Sequence, residues 1–387
     1  MLRRGIGGFR RWFSSVTPDK QAMTMADLMA GRTLDEASEI LSLSFRPEAR
    51  WKDAASRKAS LMELRNVYCA KMLEQCNICE NTMAKLVDPS YLPSRTEVLE
   101  AFQLDIPSPE VMAAASRNIK NMEALSIQMG NFQAIAPEKR TFPQLFQLEF
   151  GPMTFSALFS FCNIHGVFEV ITVEFVDALS DYLAERHAGL PVELASQPIL
   201  EVAAGSGRLA HFLNQSRKLP VPVVATDNGS WNITKDQPFS VETFDHQDAV
   251  SHFKPALMLC SWMPENTDFS GAWRSHSEVQ EYLLIGPTDS GLSGLPWETW
   301  GCPHPYFQGI SEAEFATMDE RDPRTVTLRS FQAAFEAKQA NQPPPFLVDG
   351  FQRFRVGSVC GLQICRRDSE LSSCGHSETI SFRRIST

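Results

Sequence analysis

Ile199-Leu200-Glu201-Val202-Ala203-Ala204-Gly205-Ser206-Gly207-Arg208-Leu209-Ala210 is the stretch whose reading decides the fold. An apolar run of strand type carries an acid near its end. A turn of small residues follows, and Leu209, Phe212 and Leu213 then recur at helical spacing. The missing Cβ atoms at Gly205 and Gly207 let a ligand lie against the backbone. The amides of the turn and of the helix N-terminus face that ligand. A bare Gly-x-Gly says little, but between a strand and a helix it marks a ligand-binding turn.

Outward from this turn the pattern repeats. From Gly189-Leu190-Pro191 onward, strand-type runs at 198–203, 221–226, 256–260 and 282–285 alternate with helical stretches. That alternation predicts an α/β fold with a parallel sheet wrapped by helices. Asp227 follows the second run, twenty-six residues after Glu201, a span that fits strand, turn, helix and strand. At the carboxyl end of a strand in an open α/β sheet, an acid can accept hydrogen bonds from a ribose diol. Runs at 346–356 and 360–365 are close enough to form a terminal antiparallel hairpin. The Ser-rich remainder, 368–387, has little apolar content and is expected to be disordered.

With these marks in place, residues 172–367 resemble the class I, Rossmann-like S-adenosylmethionine-dependent methyltransferases. Glu201 is followed by Ala203, Gly205 and Gly207 at the family's three glycine positions, Ala203 being a departure. Asp227 matches the acid after the second strand. Asp245 matches the acid after the third that holds the adenine region, with Asp248 as its rival. The fourth strand brings Cys260 to the cofactor site and leads into Ser261-Trp262-Met263-Pro264. The resemblance implies a seven-stranded, mostly parallel sheet with a C-terminal antiparallel hairpin, S-adenosyl-L-methionine as cofactor, and methyl transfer. The competing dinucleotide-binding fingerprint places a third glycine where this chain has Ala210.

Methyl transfer from a sulfonium carbon is an in-line displacement. The enzyme aligns and desolvates the reactants, and some acceptors also need a base. Residues after the fourth strand are candidates for this work: Trp262 to stack on a planar or cationic acceptor, and Glu265 as base. The loop 287–304 carries Trp297, Trp300 and a third candidate, His304. Its tryptophans either form part of an aromatic cage or pin the loop to the core. His165 and His211 read as hydrogen-bonded structural residues. The resemblance is nearly silent on the acceptor. The alternative from another class is a catalytically silent assembly or scaffold factor with this fold, against which Glu201, Asp227 and the open turn argue.

Before this domain, 22–171 reads as a helical region that covers the acceptor side of the site. Apolar residues recur at helical spacing over 23–43, Ser108-Pro109-Glu110 is a helix start, and a helix from Thr172 buries Phe175, Val176, Leu179 and Leu183. The longest apolar stretch, 153–176, is interrupted by Asn163, His165, Glu169 and Glu174, and no run approaches the ~20 apolar residues of a membrane span. Residues 1–18 hold Arg3, Arg4, Arg10 and Arg11 and no acid, the composition of a mitochondrial transit peptide. They are expected to direct the chain to the matrix and to be removed near residues 13–17, where N-terminal sequencing would find the mature start.

The whole chain of 387 residues has 36 basic and 46 acidic side chains. Residues 1–20 contain five basic and one acidic, which leaves 31 against 45, a net charge of −14. A field of that sign repels phosphate backbones, so the expected acceptor is a protein or a small molecule rather than nucleic acid. Nine scattered cysteines, an odd number, do not read as a disulfide framework. Cys76 and Cys79 have metal-ligand spacing but no second pair, and with Cys69 they read as a packing stripe, so no metal is expected.

Overall fold

A computed structural model of the chain describes residues 156–231, 238–302, 323–368 and 376–385, with parts of 65–104 and single positions between 307 and 316. The basic segment 1–18, the stretches 23–43 and 108–125 expected to be helical, Cys76, Cys79, Cys374 and His304 lie outside the described residues.

Seven strands form one sheet: β1 (Ile199–Val202), β2 (Val223–Asp227), β3 (Glu242–Thr243), β4 (Leu257–Ser261), β5 (Glu281–Pro287), β6 (Phe351–Arg355) and β7 (Ser377–Arg384). Their order across the sheet is β3-β2-β1-β4-β5-β7-β6. The first five run parallel, whereas β7 lies antiparallel between β5 and β6. This is the expected seven-stranded, mostly parallel sheet with an antiparallel C-terminal hairpin. The chain leaves β1 in one direction to build β2 and β3, then returns to place β4 on the other side of β1. The strand order therefore reverses between β1 and β4, where open α/β sheets bind their ligands.

Strand alternation divides the core into two layers. Ile199, Leu257 and Leu283 pack beneath Phe175, Leu179 and Leu183 of a long helix, Val173–Ala188, and beneath Leu209 and Leu213 of the helix Arg208–Gln215. Leu200, Met258 and Tyr282 face the other way, onto Trp273, Phe351 and Phe382. The long helix begins where the sequence places it, with the Thr172 hydroxyl accepting the Phe175 amide at 3.3 Å. A third cluster joins the helix Arg95–Ala101 to the helix Ala157–His165 through Val98, Phe102, Leu158, Phe161 and Ile364. The segment after that helix is tied down by backbone bonds, Val170 N–H to Ile364 O and Arg366 N–H to Phe168 O, both near 3 Å. Among the described residues no helix is long and apolar enough to cross a membrane.

The end of the chain corrects the sequence reading. Residues 360–365 are not a strand: a short helix, Gly357–Cys360, is followed by a turn whose Cys365 bridges to Glu169. The last strand is Ser377–Arg384, inside the segment expected to be disordered, so the domain continues past residue 367. The physical reason is that β7 lies at the centre of the antiparallel half and is covered on both faces. Ile380 and Phe382 enter one layer, and Ser377, Thr379 and Ser381 are buried on the other. Their hydroxyls are satisfied there: Gln363 donates to Ser377 at 3.0 Å, Thr379 donates to Gln363 at 3.0 Å, and Ser381 donates to Glu281 at 2.6 Å. A polar composition is thus compatible with a central strand when every polar atom has a partner.

Phe382 lies fully buried and stacks on Tyr282 with ring centroids 4.8 Å apart. Phe382→Ala is expected to destabilise the protein by about 3–5 kcal/mol, read from denaturant unfolding. A change within about 0.5 kcal/mol, the effect of a surface substitution, would restore the disordered-tail reading.

Candidate functional site

A cavity of about 520 Å³ opens at the point where the strand order reverses. Its floor is the turn after β1. Ala203, Gly205 and Gly207 have φ of 51°, 54° and 76°, so all three stand in the left-handed region. This explains why small or glycine residues occupy these positions, and it places Ala203 in a conformation that costs an L-residue roughly 1–2 kcal/mol. Gly207 is also the N-cap of the helix Arg208–Gln215, and a Cβ there would stand 2.5 Å from Val241 Cγ2.

Two carboxylates hold the turn from below and from the side. Asp227 accepts the Gly205 amide at 3.0 Å through one oxygen and the Gly229 amide at 2.7 Å through the other. Glu201, 1% exposed, accepts the Ala210 amide at 3.0 Å, in the first turn of the helix. Burial pushes the Glu201 carboxyl up to about 8; the Ala210 amide opposes that shift and the nearby charge of Asp227 adds to it. In the adjoining wall Asp245 caps the helix His246–Phe253 by accepting the Gln247 amide at 3.0 Å. The next residue, His246, stacks on Phe269 with centroids 4.0 Å apart, and its buried Nδ1 has no hydrogen-bond partner among the described residues.

The opposite wall is aromatic and contains a third acid. Trp262 follows β4 with φ 59°, an unusual conformation for a bulky residue. Its amide donates to Ile285 O at 2.7 Å and its indole Nε1 donates to Glu169 at 2.9 Å. Phe168 lies between Trp262 and Trp231, with centroids 5.4 Å and 6.0 Å away. Glu169 is buried, accepts a second bond from Gln363 at 3.2 Å, and is pushed by burial up to about 7.

The structure brings Glu201, Ala203, Gly205, Asp227, Asp245 and Trp262 to this one cavity. Gly207 sits just behind it as the helix cap. Cys260 does not reach the wall. It is fully buried in the core layer with Leu200 and Met258, and strand alternation gives the cavity to Ser261 instead. Glu265 is exposed and bridges to Gly294; Pro264 and Thr267 line the cavity in its place. Trp300 is fully buried, donates its indole N–H to Ser293 O at 2.6 Å and pins its loop to the core. Neither it nor Trp297 lines the cavity. His165, expected to be structural, lies on the cavity wall, its ring against Phe161. Sequence reasoning missed Glu169, Phe168, Trp231 and His246. The one signal for the first was a carboxylate interrupting an apolar run.

No protein-family profile and no curated protein matches the chain. Among solved structures it is similar to the methyltransferase domain of the citrinin polyketide synthase, at 15% identity over 94% of this chain and 98% of that one, TM-score 0.32. It is similar to the CurJ carbon methyltransferase, at 13% identity over 94% and 98%, TM-score 0.29. It is also similar to human N-acetylserotonin methyltransferase, at 11% identity over 84% and 70%, TM-score 0.26. Superpositions at such scores add nothing to what the strand order gives.

Glu201 and Glu169 bind protons more tightly in the folded chain than in the unfolded one, where a glutamate titrates near 4.3. The folded state then holds more protons between about pH 4.5 and 8, and stability falls as pH rises through that window. Glu201→Gln has no charge to bury. It is expected to lie within about 1 kcal/mol of wild type near pH 5 and to exceed it by on the order of 3–4 kcal/mol near pH 8.5. Urea unfolding at the two pH values checks this; an equal difference at both would place the Glu201 carboxyl outside the buried environment described.

Proposed function

We propose that the chain transfers the methyl group of S-adenosylmethionine to a protein or small-molecule acceptor. The observation that carries this reading is the left-handed turn at Ala203, Gly205 and Gly207, bordered by Glu201 and Asp227 at the reversal of strand order. The cavity's chemistry fits the cofactor. The turn leaves backbone open to its amino-acid portion. Asp227, whose two oxygens each accept one amide, retains lone pairs for ribose hydroxyls. The orphaned Nδ1 of His246, beside Asp245, Phe244 and Phe269, offers an unmet polar contact for a base.

The bound cofactor supplies a methyl group on a positively charged sulfur. The protein's own contribution is to fix both reactants across the cavity and exclude water from between them. Phe168 and Trp262 line the same cavity as the turn and lie against each other. The mature chain's net charge of −14 supports a protein or small-molecule acceptor over nucleic acid. The composition of residues 1–18 supports a mitochondrial setting.

Calorimetric titration with S-adenosylmethionine and with S-adenosylhomocysteine tests the reading. Wild type should bind both. Asp227→Asn removes a charge-assisted acceptor worth on the order of 1.5–3 kcal/mol, and should weaken binding roughly ten- to a hundredfold in a variant that keeps its circular dichroism spectrum. If wild type binds neither ligand, the enzyme reading fails and a scaffold role takes its place.

A further inference from the structure

Glu169 sits in the cavity wall, and among the described residues no basic side chain forms an ion pair with it. Its carboxylate accepts from the Trp262 indole at 2.9 Å, from Gln363 at 3.2 Å and from the Ser377 hydroxyl. A carboxylate has about four lone-pair sites, so one remains. The charged and titratable groups around it are Asp368, which is itself paired with His376 at 2.6 Å, and Cys162, Cys365 and Arg366. Arg366 is spoken for: its guanidinium lies over the Phe168 ring at 4.5 Å and donates to Asn163.

The aromatic wall next to Glu169 is apolar, with the Phe168 ring tilted 52° to Trp262 and 49° to Trp231, but it is not a cage for a cation. Arg366 already stands over Phe168, and Arg208 is a second guanidinium in the cavity wall. What the wall suits is a neutral planar ring. The chemistry of the acid then selects the nucleophile. An alkyl amine is an ammonium ion at neutral pH, which the Arg366 guanidinium over Phe168 disfavours, and a thiol ionises near pH 8.5, closer to neutrality than a phenol. A phenolic hydroxyl titrates near 10, as in tyrosine, and needs a base within reach. Resting on the methyltransferase reading above, we infer that Glu169 is the proton acceptor of the transfer and that the methyl acceptor is an aromatic hydroxyl compound held by Phe168, Trp231 and Trp262.

The step balances as follows. The Glu169 carboxylate takes the hydroxyl proton as the oxygen's electron pair forms a bond to the methyl carbon. The carbon–sulfur bond breaks with its pair going to sulfur, which becomes a neutral thioether. The products are an aryl methyl ether and a protonated Glu169, which returns its proton to water. A carboxyl raised by burial toward neutrality is a better match for such a proton than an exposed one.

The test measures transfer of labelled methyl from S-adenosylmethionine to phenol, largely un-ionised at pH 8, and to 4-nitrophenol, largely ionised there. Wild type and Glu169→Gln are compared, with calorimetric binding of S-adenosylhomocysteine as a separate readout. The expected result is that Glu169→Gln binds the product normally and loses roughly a hundredfold or more on phenol but under tenfold on 4-nitrophenol. An equal loss on both would reduce Glu169 to a support for Trp262 and overturn the inference. So would a wild type that binds S-adenosylhomocysteine but labels neither phenol. A wild type that binds no S-adenosylhomocysteine would instead defeat the methyltransferase reading itself. Should Glu169→Gln not fold, the wild-type pH profile decides. With a base, the rate on phenol levels off above about pH 7; a rate that keeps rising tenfold per unit toward the ionisation of phenol itself overturns the inference.

Discussion

The carboxylate of Asp227 is the joint on which the site depends. One oxygen holds the Gly205 amide of the turn after β1, and the other holds the Gly229 amide of the loop after β2. Two loops that leave neighbouring parallel strands are thereby fixed to each other at the ligand end of the sheet. The turn needs that restraint, because Ala203, Gly205 and Gly207 all have positive φ and Ala203 pays a steric cost to stay there. Glu201 supplies the second restraint from beneath by holding the Ala210 amide. The same two acids that mark the site in the sequence are thus what shapes its backbone, before any ligand is considered.

The cavity lining is of two kinds. The turn after β1 and the end of β2 contribute backbone, small residues and acids; Phe168, Trp231 and Trp262 contribute a cluster of rings. The aromatic part is built by a segment remote in sequence. Phe168 and Glu169 arrive through a short backbone pairing with residues 364–366, and Glu169 then anchors the Trp262 indole. Glu169 before the first strand, Trp262 after the fourth and Gln363 after the sixth meet in one hydrogen-bonded unit. The unusual backbone of Trp262 is held by that unit and by its amide bond to Ile285.

How much of this the sequence disclosed follows from how local each signal is. The strand–turn–helix at 199–210 and the acid at Asp227 are short-range patterns, and β1, β2, β4 and β5 each had an apolar run of their own, whereas the two exposed residues of β3 had none and were placed only by the resemblance. Ser377–Arg384 was misread because its Ser and Thr residues look solvated; their partners Gln363 and Glu281 lie many residues away, and burial of paired hydroxyls leaves no local mark. Cys260 and Ser261 were separated only by strand alternation, which the residues alone do not phase to within one position. Glu169 stood out as an acid in an apolar run, but its meeting with Trp262 spans 93 positions and no spacing rule reaches that far.

The central claim is that the turn bordered by Glu201 and Asp227 is where the cofactor lies. A crystal structure of the full chain grown with S-adenosylhomocysteine tests it most directly. The account predicts ligand density along residues 203–207, both ribose hydroxyls within hydrogen-bond distance of Asp227, and the base beside His246 and Phe269. Density at another surface, or a ligand in this cavity that leaves Asp227 bound to its two amides alone, would contradict it.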